Sequence, residues 1–156
     1  MEQKKLSQLQ LAHDIAERAH AGQIDKSGRP VLEHPEAVAE LCTTETEKSV
    51  ALLHDVVEDT DWTLDDLRMW GVDEEIVAAV DCLTRRKGEK IGKYLDRVAS
   101  NLTAAEVKDF DMFDNMNYRR NNKFSEQKCR ATIKKYERRR IMLADRILPP
   151  HENLKD

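Results

Sequence analysis

The sequence predicts an all-α fold, a single bundle of about eight helices, and three observations carry that reading. Gly and Pro number only 5 and 4 in 156 residues, while 36% of residues are charged, the balance of a chain rich in helix formers and poor in breakers. Apolar residues recur at spacings of three and four, the period of a helix with one buried face. No segment alternates apolar and polar residues as a half-buried strand requires.

The elements follow in order. Leu6, Leu9, Ala12, Ala16 and Ala19 mark a first helix, with Gly22 as its stop. Gln23 to Pro35, broken by Gly28 and Pro30, reads as loop. Pro35 opens a short helix toward Cys42, because a missing N–H costs nothing in a first turn. Thr44 and Glu47 have capping-box spacing and open a helix with Val50, Leu53 and Val57 on one stripe. Thr63 and Asp66 repeat that spacing more weakly before a short helix stopped by Gly71. Asp73 caps a helix containing Ile76, Val77, Val80 and Leu83, and Tyr94, Leu95 and Val98 mark another. Thr103 and Glu106 form a third box, ahead of a segment reaching Met116. Arg119 to Lys123 reads as a turn, and a long last helix is expected from about Ser125 to Leu148, stopped by Pro149 and Pro150. Residues 1–148 are thus expected to form one domain and 149–156 a flexible tail.

Charge and composition narrow the function. Lys plus Arg number 26 against 30 for Asp plus Glu, a net charge of -4, which gives no general attraction to nucleic acid or to an anionic membrane. No apolar run approaches the ~20 residues of a membrane span, and the charged Met1–Lys5 lacks the apolar core of a signal peptide. Cys42, Cys82 and Cys129 are odd in number, widely spaced and without a CxxC pair, the pattern of reduced thiols rather than of a disulfide framework. The expectation is a soluble, cytoplasmic protein with a small-molecule partner; no pattern specifies its oligomeric state.

The chemistry concentrates in Leu52-Leu53-His54-Asp55-Val56-Val57-Glu58-Asp59-Thr60. A helix through this segment places His54 and Glu58 one turn apart, with Asp55 and Asp59 beside them. Three carboxylates beside a histidine form a like-charge cluster that costs energy unless a cation offsets it. One helix supplies too few ligands. His34, at the junction of loop and helix, and Asp111, in a later helical segment, are the candidates to complete the set. Imidazole plus carboxylate ligation suits manganese, iron or zinc. Two His and two Asp leave positions open for water and a phosphate oxygen, the layout of a hydrolytic site.

Read in order, Ala19-His20-Ala21-Gly22-Gln23, Lys26-Ser27-Gly28-Arg29-Pro30, His34-Pro35, the His54-to-Thr60 segment and Asp111-x-x-x-Asn115-Met116 resemble the hydrolase domain of the RelA/SpoT group. That group belongs to the HD superfamily, and the small alarmone hydrolases are its stand-alone members. The resemblance implies an all-helical HD domain with Mn2+ held by His34, His54, Asp55 and Asp111, and catalytic roles for Glu58 and Asp59. It implies removal of the 3′-pyrophosphate from ppGpp or pppGpp, with Lys26 and Ser27 in the substrate cleft and Asn115 near the sugar. Arg119, and more remotely Arg85, Arg86 or Lys87, would neutralise phosphate charge. Two positions depart from the family pattern: Asp25 stands where an Arg is usual, and Val31 where a Tyr is usual. These departures favour a different phosphorylated nucleotide or phosphoester as substrate, and a metal-bound regulatory module without turnover is the reading from another class.

Other residues read as ordinary structure. His13-Asp14 lacks the flanking pattern and is expected at the surface. Asp145, in Leu143-Ala144-Asp145-Arg146, lacks the Asn-Met that follows Asp111. His20 is expected to hydrogen-bond the loop backbone, His151 to do nothing specific, and Trp62 and Trp70 to pack at the core or its rim. The run Lys134 to Arg140 is expected to be a solvated helix face.

Overall fold

The computed structural model describes residues 5–117, 121 and 123–147. Nine helices and no strand are found among them: α1 (Gln8–Ala19), α2 (Glu33–Leu41), α3 (Glu45–Leu53), α4 (Val56–Asp59), α5 (Leu64–Met69), α6 (Glu74–Leu83), α7 (Ile91–Ala99), α8 (Leu102–Asn115) and α9 (Glu126–Ile147). The all-α expectation holds. The turn expected over Arg119 to Lys123 lies largely outside the described residues, as do Pro149, Pro150, His151 and the tail.

Helix α3 is the centre of the bundle. It packs on α1, α2, α6 and α8, and Ser49, Val50, Ala51, Leu52 and Leu53 are all buried. Ser49 is tolerated there because its hydroxyl donates to the carbonyl of Glu45 at 2.8 Å. Around α3, the core gathers Ile15 from α1, Val38 from α2, Val77 and Val80 from α6, Leu95 and Val98 from α7, and Val107 and Met112 from α8. Helix α9 lies across α7 and α8 and buries only Leu143 completely among its described residues.

Helix starts follow local chemistry, with some shifts. Ser7 and Gln10 form a full capping box, as do Thr63 and Asp66. The Thr44 hydroxyl accepts from the Glu47 N–H at 3.1 Å, but the Glu47 carboxylate reaches back to the N–H of Thr43, at 3.2 Å, so that box is offset by one residue. Helix α2 begins two residues before Pro35, which sits within the first turn where it still displaces no hydrogen bond. Helix α8 is capped by Asn101, whose side chain accepts from the Ala104 N–H at 2.9 Å, so Thr103 lies inside the helix rather than at its cap. The Asp73 side chain makes no capping bond.

One difference bears on function. The helix expected to run through His54 to Glu58 is interrupted: α3 stops at Leu53 and α4 starts at Val56. The His54 ring donates from Nδ1 to the carbonyl of Ala51 at 2.5 Å, and the His54 N–H reaches the same carbonyl at 3.5 Å. The break coincides with this local use of the Ala51 carbonyl by the ring, an insertion of the kind that interrupts helices.

Candidate functional site

Three elements converge on one point. His34 stands in the first turn of α2, His54 at the end of α3 and Asp111 inside α8. One donor atom from each lies within 4.8 Å of the others. His34 Nε2 is 2.7 Å from Asp111 Oδ1, and His54 Nε2 is 3.4 Å from that same oxygen. Asp55 Oδ2 lies 3.2 Å from His54 Nε2, so all four residues expected around a cation meet here, although Asp55 falls outside the tightest group of three.

The ring nitrogens show that the pocket suits a cation. Nδ1 of His54 must carry a proton to bond a carbonyl, which leaves Nε2 with a lone pair in the neutral ring. That Nε2 is buried and makes no well-formed hydrogen bond, with only the carboxylate oxygens of Asp55 and Asp111 nearby, at 3.2 and 3.4 Å, a surrounding that suits a ligand atom sharing an ion with those carboxylates. His34 Nδ1 is held by Asp114 Oδ2 at 2.6 Å, the carboxylate–histidine pairing that orients ligating imidazoles and sets their tautomer. Donor spacings of this kind match the ~3 Å edges between neighbouring N and O ligands held at about 2.0–2.2 Å.

Without an ion, the same carboxylates favour positive charge on the ring itself, a proton standing where a cation would. Burial works against a charged His54, but Asp55 and Asp111 outweigh it and raise its pKa well above 6.5. Burial likewise opposes ionisation of Asp111, yet Lys108, His34 and His54 hold its pKa well below the usual carboxylate range. Lys108 donates to Asp111 Oδ2 at 2.7 Å, and Asn115 Nδ2 donates to Asp111 Oδ1 at 3.1 Å. Sequence reasoning passed over Lys108 and Asp114, although both share α8 with Asp111 at helical spacings of three.

Two chambers open from this point, sharing His34, Asp55, Asn115 and Tyr136 in their walls. The inner one, of about 230 Å3, is lined by Glu58, Arg85, Tyr94, Lys108 and Arg139. The outer one, of about 430 Å3, is lined by Lys26, Ser27, Asp59, Phe124, Lys128 and Lys135. Glu58 and Asp59 are exposed residues at the walls of these chambers, where partial desolvation comes first and the charge of Asp55 adds to it in raising both pKa values. Glu58 Oε2 accepts from the Arg85 N–H at 3.0 Å. Arg119 lies outside the described residues.

The last helix departs from expectation. The sequence predicts a solvated face for Lys135 and Arg139, yet they line the chambers with Tyr136. Burial, Arg139, Lys26 and Lys108 together lower the Lys135 pKa. These cations share the walls with Asp25, Asp55, Asp59, Glu58 and Asp111, so α9 adds positive charge to a cleft that is otherwise largely acidic. The helical spacing of 128, 132, 135, 136 and 139 was the available signal, but the bundle alone decides which face of α9 turns inward.

Asp25 also differs from expectation. Its Oδ1 accepts from the Ser27 N–H (2.8 Å), the Ser27 hydroxyl (2.7 Å) and the Arg29 N–H (3.0 Å). The carboxylate thus organises the loop that carries Lys26. Gly28, at φ +83, completes the same turn. His20 bonds the Gln23 side chain, Nδ1 to Oε1 at 2.9 Å, rather than the loop backbone. His13 pairs with Glu17 and Glu36 at the surface, Asp145 is exposed on α9, and the Trp62 and Trp70 rings pack 5.2 Å apart.

No family model matches the chain. It is 32% identical over 151 residues to the GTP pyrophosphokinase of Streptomyces coelicolor, covering 87% of this chain and 18% of that protein. It is 37% identical over 89 residues to the bifunctional (p)ppGpp synthase/hydrolase SpoT of Escherichia coli, covering 53% of this chain and 13% of that protein. The chain therefore spans less than a fifth of the length of these curated relatives. A solved structure of a metazoan ortholog of SpoT, described as hydrolyzing ppGpp, matches with a TM-score of 0.72 at 20% identity, covering 94% of this chain and 88% of that one. At that identity the likeness is one of fold.

Proposed function

Because the chain is a RelA/SpoT-like, HD-type domain, we propose that it is a divalent-metal-dependent phosphohydrolase of phosphorylated nucleotides, with the 3′-pyrophosphate of ppGpp or pppGpp as its first candidate bond. The carrying observation is the buried Nε2 of His54, which makes no hydrogen bond and shares a point with His34 and Asp111 where two chambers lined by both cations and carboxylates meet. In this reading His34, His54, Asp55 and Asp111 hold the ion, with Mn2+ the expected species.

A bound divalent ion supplies Lewis acidity toward a phosphate oxygen and toward water. The protein's own groups do the rest. Glu58, with its pKa raised, orients the attacking water and takes its proton, or returns a proton to the leaving oxygen. Asp59, also raised, supports it from the outer chamber. Lys26, Lys128 and Lys135 hold phosphate on the outer side, and Arg85 and Arg139 on the inner side. Asn115, bonded to Asp111, both steadies that carboxylate and faces the substrate. Asp25 lines the outer chamber beside Lys26, but its Oδ1 is committed to the N–H groups of Ser27 and Arg29, which offsets part of the repulsion it would exert on a phosphate.

The test is a Mn2+-supplemented screen of ppGpp, pppGpp and ordinary nucleotides, scored for pyrophosphate and phosphate release, with GTP plus ATP included to detect pyrophosphoryl transfer. Pyrophosphate release from an alarmone is expected, and His54→Ala and Asp111→Ala should abolish both release and Mn2+ binding. Full activity in either variant would overturn the assignment.

A further inference from the structure

The last carbonyls of any helix lack partners within it. At the C-terminus of α6 they are taken by side chains of α7, joined at Asp81 and Thr84 by the Arg86 guanidinium of the following loop. Arg97 Nη1 donates to the carbonyls of Asp81 (2.7 Å) and Cys82 (3.1 Å), and Nη2 donates to the carbonyl of Thr84 (3.0 Å). The Tyr94 hydroxyl donates to the carbonyl of Leu83 at 2.7 Å. Four consecutive carbonyls are thus secured.

The same guanidinium then reaches into the loop that follows. Arg97 Nη2 donates to Glu89 Oε1 at 2.6 Å, and that oxygen also accepts from the Arg86 N–H at 3.2 Å. The carbonyl of Glu89 receives the Arg85 guanidinium, from Nε at 3.1 Å and Nη2 at 2.8 Å. Residues 84–89 are therefore held in one conformation, and from it the Arg85 N–H donates to Glu58 Oε2 at 3.0 Å. Glu58 stands on the four-residue α4, too short to fix a side chain by its own stability.

We propose that Arg97 is a positioning residue for Glu58: by joining the α6 C-terminus to the loop at 84–89, it aims the Arg85 N–H at the Glu58 carboxylate and the Arg85 side chain into the inner chamber. The inference rests on the hydrolytic reading above for its kinetic consequence, but not for its structural one. Lysine, with a single ammonium, is unable to span the acceptors that the planar guanidinium joins.

The experiment compares Arg97→Lys, Arg97→Gln and the milder Glu89→Gln in the full chain loaded with Mn2+, with ppGpp as the probe. The Arg97 variants are expected to lose kcat by about 10- to 100-fold, the cost of a small misplacement of a reacting group, while KM and Mn2+ affinity stay within about threefold. In a Glu58→Gln background, Arg97→Gln is expected to add less than about a twofold further loss, since both changes act through one carboxylate. The Arg85 amide should exchange with solvent about tenfold faster, with α3 amides unchanged. Glu89→Gln should fall between wild type and Arg97→Gln, and it carries the same readouts if the Arg97 variants do not fold. An unchanged kcat, losses that add in the double variant, or an unchanged Arg85 exchange rate would each overturn the proposal. If the wild type turns over no ppGpp, the hydrolytic reading fails for that substrate, and the Arg85 exchange rate alone decides the clamp.

Discussion

At Glu58, desolvation in the chamber wall comes first, and the charges of Asp55 and Asp59 add to it, so that the carboxyl sits above its ordinary 4.5 despite the Arg85 N–H. A folded-state pKa above the unfolded one means that the folded protein binds the proton more tightly. Stability from this group is therefore complete below pH 4.5 and falls as pH rises through the folded pKa. Glu58→Gln removes that penalty while keeping an acceptor for Arg85. The metal-free variant should melt at a higher temperature than wild type at pH 7.5 and at the same temperature at pH 4, whereas turnover should drop by about 10²- to 10⁴-fold. Thermal melts at the two pH values check this, and a lower melting temperature at pH 7.5 would contradict it. Asp25 makes the complementary point about reading single residues. In the sequence it is a carboxylate where a cation is expected, but three local hydrogen bonds make it the organiser of its loop, and no residue pattern announces which way such a side chain turns.

Among the elements, α9 differs most from its sequence reading. Periodicity and breakers located its ends to within a residue or two, as they did for α1, α5 and α6. They did not reveal which stripe faces the cleft, because Lys, Arg and Tyr serve equally well as solvated coat and as chamber wall. Similarly, the apolar block Leu52-Leu53 marked α3 as central, but the break after Leu53 coincides with a side chain bonding its own backbone, which helical spacing does not register. The residues that would hold the ion were legible because their types are chemically restrictive; Lys108 and Asp114, which steady them, were not, because Lys and Asp on a helix are commonplace. A test at this scale follows. A charge-assisted bond to phosphate is worth about 1.5–3 kcal/mol, so Lys135→Ala and Arg139→Ala should each raise KM by about 10- to 100-fold with kcat nearly unchanged. A loss confined to kcat would place α9 outside the substrate-binding wall.

For the molecule as a whole, the candidate centre ties α2, the end of α3 and α8 together, so its occupancy should register in global stability. An ion that binds only the folded state adds about 2.7 kcal/mol at a hundredfold excess over Kd, equivalent to roughly 5–10 °C for a domain of this size. Stripping the protein with a chelator should lower its melting temperature by that amount and re-addition of Mn2+ should restore it; a melting temperature indifferent to both would leave the convergence of His34, His54 and Asp111 without an occupant.

The position of α9 in the chain gives the cleft a temporal order. A ribosome synthesises α2, α3 and α8 before α9, so the imidazoles and the carboxylate at the junction of the chambers are all made before the wall bearing Lys128, Lys135, Tyr136 and Arg139. The cleft residues made before that wall are mostly acidic: Asp25, Asp55, Glu58, Asp59 and Asp111 against Lys26, Arg85 and Lys108. Only the arrival of the final helix reverses the sign of the cleft's rim.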